Sequence, residues 1–260
     1  MRHPVFIALL CSVLLASCGK EQNSTERKSA AEIIDQAIDA HGGDLYSRAE
    51  VSFTFRGRDY TSTRMGGEYA LSRAYTDTSG EADKYVHQVL SNKGFETKVD
   101  GELVALDAKA AAAQKESVNS VHYFAMLPYG LNDPAVNKEY LGEVSIDNNT
   151  YDKVRITFDQ EGGGTDFEDV FIYWFDTQSH ELKYLAYQYH VNGGGIRFRE
   201  AINPRRIGGI LFNDYINYKA DPQLHALSDT DSLFEKGALA ELSRIISEDV
   251  KVAPLEKPVK

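Results

Sequence analysis

The first residues that carry chemistry are Leu15-Ala16-Ser17-Cys18. Small side chains ahead of a cysteine fit lipoprotein signal peptidase, and the thiol then takes a diacylglyceryl group. Arg2 and His3 give a short charged start, and residues 5–15 an apolar run too short to cross a bilayer. The pattern predicts a signal peptide over 1–17 and a mature chain that begins at an acylated Cys18, palmitate among its chains. Such a modification suffices for stable membrane anchoring. Gly19-Lys20-Glu21 lacks the Asp that retains lipoproteins in the inner membrane of enterobacteria. The expected address is the outer membrane of the cell envelope, with the domain facing the periplasm or the surface.

A second set of candidates lies inside the strands. Arg197 and Arg199, two apart, share a face of one strand. They would either grip a carboxylate or phosphate headgroup at the polar end of a cavity or pair with Asp or Glu on neighbouring strands. Asp169 and Glu200 with His190 would serve an envelope hydrolase, provided they converge in one cleft. No GxSxG or SxxK nucleophile motif is present, and no catalytic residue is assigned. The histidines never stand at ligand spacing, so no metal and no cofactor is expected. The only cysteines are Cys11 and Cys18, which leaves the folded domain without disulfides or thiolate chemistry. The Gly triplets 162–164 and 193–195 open no helix and read as hairpin turns. With 28 basic against 39 acidic residues the chain carries −11, which argues against nucleic acid as a partner and against charge-driven membrane attachment.

These candidates need elements to position them. Residues 29–32 form a capping box, and Ile33, Ile34, Ala37, Ile38 and His41 recur at helical spacing until Gly42-Gly43 ends the helix. From Val51 the period falls to two, and strands follow to residue 99 between Gly-marked turns. Residues 107–115 and 118–127 predict two helical segments, closed by Pro128. A meander of five strands fills 151–218. Its strands are apolar on both faces, so both faces should be covered, or one should line a cavity. Leu239, Leu242, Ile245 and Ile246 fit a short helix or an edge strand equally. The expected organisation is a lipidated tether over 18–28, one domain over 29–250 and a flexible tail over 251–260.

The segments 121–131 (VHYFAMLPYGL), 173–175 (YWF) and 197–201 (RFREA) resemble an uncharacterised family of Bacteroidota lipoproteins, a domain of unknown function. The layout also resembles the LolA-like lipoprotein carriers. That resemblance implies a mainly β fold: a curved antiparallel half-barrel with one N-terminal helix, a short helical insert, and helices lidding a concave apolar face. It further implies a lipid or acylated ligand in that cavity, held without catalysis. Tyr123, Phe124, Met126 and Leu127 would form part of the lid, Tyr173, Trp174 and His190 would add to the wall, and Arg197 and Arg199 would meet the headgroup. A protein-interaction module, whose surface matters more than any cavity, is the remaining alternative.

Overall fold

The computed structural model describes residues 28–256. The lipobox, Cys18 and most of the tether lie outside the described residues. The first helix, α1 (Ala30–His41), starts at the capping box read from the sequence: the Ser29 hydroxyl accepts from Glu32 N–H, and the Glu32 carboxylate reaches back to Ser29. Its Ile33, Ile34 and Ala37 are buried along one face.

Two seven-stranded antiparallel sheets follow, not closed into a barrel. The first is built from β1 (Ala49–Phe55), β2 (Arg58–Met65), β3 (Glu68–Asp77), β4 (Lys84–Ser91), β5 (Gly94–Val99) and β6 (Glu102–Leu103), paired in sequence order. The second runs β7 (Val136–Ile146), β8 (Asn149–Phe158), β9 (Val170–Asp176), β10 (Leu182–Tyr189), β11 (Gly195–Ile207) and β12 (Ile210–Ala220). Two further strands divide between them: β13 (Ala240–Ile245) pairs with β12, and β14 (Glu248–Pro254) pairs with β1. Residues 251–254, expected in a flexible tail, therefore belong to a strand. Val252 alternates inward opposite Val51, which gives this segment a packing reason to pair. The turn from β11 to β12 passes close by; a Cβ at Gly208 would sit 2.7 Å from Val252 Cβ.

The helical insert is one helix, α2 (Ala108–Ala125), not two. Asp107 caps it by accepting from Ala110 N–H, and neither Gly nor Pro interrupts the chain before Pro128. A last short helix, α3 (Thr230–Glu235), lies between β12 and β13. It follows a polar stretch with no periodic signal. The second meander is packed on both faces, and part of one face lines a cavity, the two outcomes its double-sided apolar pattern left open. On one face Ile33, Ile34 and Ala37 of α1 pack against Val154, Tyr173 and Leu185. On the other, Trp174, Tyr184 and Phe198 form a second cluster beneath Leu227 and Phe234. These clusters, and a third around Tyr46, Phe53 and Phe212, close within residues 30–254.

Candidate ligand-binding site

The second half of α2 crosses toward the second sheet and does not seal it. Between them lies a cavity of about 690 Å3, open on one side. That volume falls inside the roughly 300–1,000 Å3 of small-molecule sites. Its sheet wall comes from residues of one parity: Phe171 on β9, Tyr187 and Tyr189 on β10, and Arg197 on β11. Tyr123, Phe124 and Met126 face it from the end of α2. The rings form one connected surface. Phe171 stacks on Tyr187 at 5.3 Å, Phe124 lies 5.3 Å from Tyr187, and Phe158 meets Phe171 edge-on at 5.8 Å. The loop 159–169, between β8 and β9, forms a rim. Its Gly163 is forced by space: a Cβ there would lie 2.1 Å from Asp159 O.

The rim is polar. Arg197 donates to its own neighbour, Ile196 O, and to Tyr189 Oη at 2.5 Å, with its guanidinium 5.0 Å from that ring. Arg64 of β2, in the first sheet, stands 5.0 Å from the Tyr129 ring and 5.9 Å from that of Tyr69. Three carboxyls, Glu116, Asp133 and Asp169, have pKa values raised by burial. Asp166 raises Glu116 and Asp169 further, while Arg64 opposes the shift at Asp133. His122 lies on the wall as a neutral imidazole: burial pushes its pKa down to about 4, and Nε2–H donates to Ser72 O at 2.9 Å. Among the described residues no three His, Asp or Glu converge as metal ligands, and no helix is long and apolar enough to cross a membrane.

Of the nine side chains proposed from the sequence, Tyr123, Phe124, Met126 and Arg197 line the cavity. Leu127 and Tyr173 sit behind its wall in the core, where Tyr173 Oη and Tyr123 Oη hydrogen-bond at 2.8 Å. Arg199 is also behind the wall, its guanidinium 4.0 Å from the Phe124 ring and bonded to Tyr187 Oη at 2.9 Å. His190 lies beyond the rim, with Nδ1 3.5 Å from Asp169 Oδ1. Trp174 belongs to the opposite face. Neighbours on a strand point to opposite sides, so Trp174 and Tyr173 never share a wall; Trp174 Nε1–H donates instead to Asp231 at 3.2 Å. Glu200 is paired across the strands with Tyr184, on the Trp174 face, and bonds Lys183 at 3.0 Å. The triad of Asp169, Glu200 and His190 is thus not assembled. Carboxylate pairing holds for Arg205 with Asp214, but among the described residues no carboxylate lies within 4 Å of Arg197 or Arg199. The sequence reading missed Arg64, Tyr69, Tyr129, Phe158, Phe171, Tyr187 and Tyr189. Strand parity from Arg197 would have found Tyr187 and Tyr189; nothing local marks Arg64.

The profile of the family of unknown function DUF6503 matches residues 3–247. The chain belongs to that family. The family resemblance read from the sequence is borne out, while the match does not establish the bacterial phylum. No protein of curated function matches the DUF6503 chain. Among solved structures it is similar to a LolA superfamily protein from Nitrosomonas europaea, at 10% identity and TM-score 0.47, covering 88% of this chain and 94% of that one. It is also similar to a DUF1329 family protein from Desulfovibrio piger, at 10% identity and TM-score 0.41, covering 85% and 92%. A third is the lipoprotein LppX from Mycobacterium tuberculosis, at 12% identity and TM-score 0.26, covering 64% and 91%.

Proposed function

We propose that this DUF6503 protein is an outer-membrane-anchored lipoprotein that holds an apolar or acylated ligand between α2 and the second sheet, without catalysis. The observation that supports it is the cavity itself: about 690 Å3 of space against a continuous aromatic wall, open at one side. Rings left half-exposed at such an opening lower their free energy when an apolar chain replaces water. Anchoring rests on the lipobox at Cys18. The test is native mass spectrometry of the chain from Gly19 onward, exported and purified without detergent. Extra mass that solvent extraction removes and that matches an acyl lipid is the expected result. Bare protein that takes up neither added fatty acid nor phospholipid would sink the proposal and favour a protein-interaction module.

A further inference from the structure

The cavity holds two arginines, and they are not equivalent. Arg197 has already committed its terminal nitrogens to Ile196 O and Tyr189 Oη. Arg64 lies on the wall near the two rings of Tyr69 and Tyr129, yet among the described residues its guanidinium makes no hydrogen bond and has no carboxylate within 4 Å. Asp133, also on the wall, feels the charge of Arg64, yet the two form no ion pair. A planar fork positioned by aromatic faces and not consumed by protein acceptors is suited to a two-oxygen anion. The same wall carries Met126 and the mutually contacting rings of Tyr123, Phe124 and Phe171, which offer an apolar surface for a chain beside the charge.

We infer that Arg64 sets the head-group specificity of the cavity, and that the ligand is a single-chain amphiphile whose head is a carboxylate or a phosphate. The inference rests on the binding reading above. The head sits at Arg64, between Tyr69 and Tyr129, and the chain lies along the aromatic wall toward Tyr187. Arg197 bounds the rim.

Calorimetric titration of the chain from Gly19 onward with laurate, dodecyl phosphate and dodecanol, each below micelle formation, separates the possibilities. The expected result is that at least one anion binds about tenfold or more tightly than the alcohol, since a charge-assisted contact supplies that much discrimination. Which anion wins identifies the head. Arg64→Gln should lower the anion's affinity by about the same factor and leave dodecanol within about twofold. Arg64→Lys, which keeps the charge without the fork, should fall between and covers the case in which the glutamine variant fails to fold. Arg58→Gln, altering an arginine that lies over Tyr75 outside the cavity, should change nothing. Equal affinity for all three ligands, or a head preference that survives Arg64→Gln, overturns the role of Arg64 and leaves the cavity a binder of chains. Failure of all three ligands to bind overturns the binding reading and this inference together.

Discussion

The two faces of β9, β10 and β11 are built from the same materials and end in opposite states. On the face toward α3, Trp174, Tyr184 and Phe198 are sealed: Phe234 stacks on Phe198 at 4.9 Å, and Trp174 is fully buried. On the face toward α2, Phe171, Tyr187 and Tyr189 are as aromatic, yet they border open volume. Sequence composition does not separate the two; the covering element does. A polar latch fixes α3, because Lys153 donates to Asp231 Oδ2 at 2.6 Å and to Ser228 O at 2.8 Å from within the cluster. The first half of α2 instead lies over the first sheet, where Arg73 bonds Gln88 and Ser117. Only its last turns reach the second sheet. A sealed aromatic face contributes stability, whereas an open one retains free energy that a ligand can release.

The largest expected effect follows from breaking the seal. Asp231→Asn leaves the Lys153 ammonium buried without its counter-charge, and removing one partner of such a pair costs about 3–5 kcal/mol. The loss should appear in urea unfolding, with binding at the α2 side unchanged in the folded fraction. If ligand affinity falls in step, the two faces are coupled and the comparison is wrong.

Acid should act next, through two buried histidines, His41 at the end of α1 and His122 on α2. Burial holds His41 and His122 near pKa 4, against an ordinary value near 6.5. The unfolded chain therefore binds protons that the folded chain refuses between those limits, and stability falls as pH drops through that window. Between pH 7 and 5 the loss is about 2 kcal/mol for each imidazole. Glu116, Asp133 and Asp169 oppose it: their raised pKa values make the folded state the better proton acceptor as pH falls. At His41 the cause is visible. Nδ1–H donates to Ala37 O, and Nε2 faces the Leu182 N–H at 3.4 Å, so a second ring proton would meet a donor. His41→Gln and His122→Gln should each flatten the dependence of the urea midpoint on pH between 7 and 5. An unchanged slope in both would place the acid response elsewhere.

On the open face, Phe124→Ala should reverse the balance seen at Asp231. The ring is partly exposed, so stability should fall by only about 1–2 kcal/mol. Laurate affinity should fall by about tenfold because the ring forms one wall and also covers Arg199. A stability loss without a binding loss would show that the ring belongs to the core and not to the site.

How far these differences were legible depends on the range of the interaction. The α1 start was readable because Ser29 and Glu32 satisfy each other within one turn. The strands were readable because period two is local, and the double-sided apolar pattern announced that each face of the second meander is covered or lines a cavity. Trp174 was misplaced although parity was available: it neighbours Tyr173, and only one of the two faces α2. A cavity under the end of α2 was expected, and Tyr123, Phe124, Met126 and Arg197 do line it; its sheet wall was not legible, since that depends on where α2 stops short of the sheet. Arg64 read as one more strand residue, because the rings that hold it, Tyr69 and Tyr129, come from a hairpin partner and a loop far along the chain. β13 was half legible, since its apolar spacing fitted a helix or a strand equally; β14 was not, because most of it was expected in a flexible tail and its pairing with β1 is set by tertiary packing.

The smallest expected effect falls on the second strand arginine. Arg197 and Arg199 share a face, as spacing requires, but only Arg197 reaches the opening; Arg199 is covered by Phe124 and Tyr187, with Nε unpartnered. A buried guanidinium that lacks a carboxylate gains little electrostatically, and its stacked carbon framework provides much of what it contributes. Arg199→Met keeps the length and the contact with Phe124 while removing the charge and the bond to Tyr187. Unfolding stability should change by less than about 1 kcal/mol, because loss of that hydrogen bond is offset by relief of an unpaired buried charge. The preference of the cavity for laurate over dodecanol should not change at all. If that preference disappears, the anion lies deeper than Arg64 allows, and the head-group contact belongs to the strand arginines first suggested by their spacing.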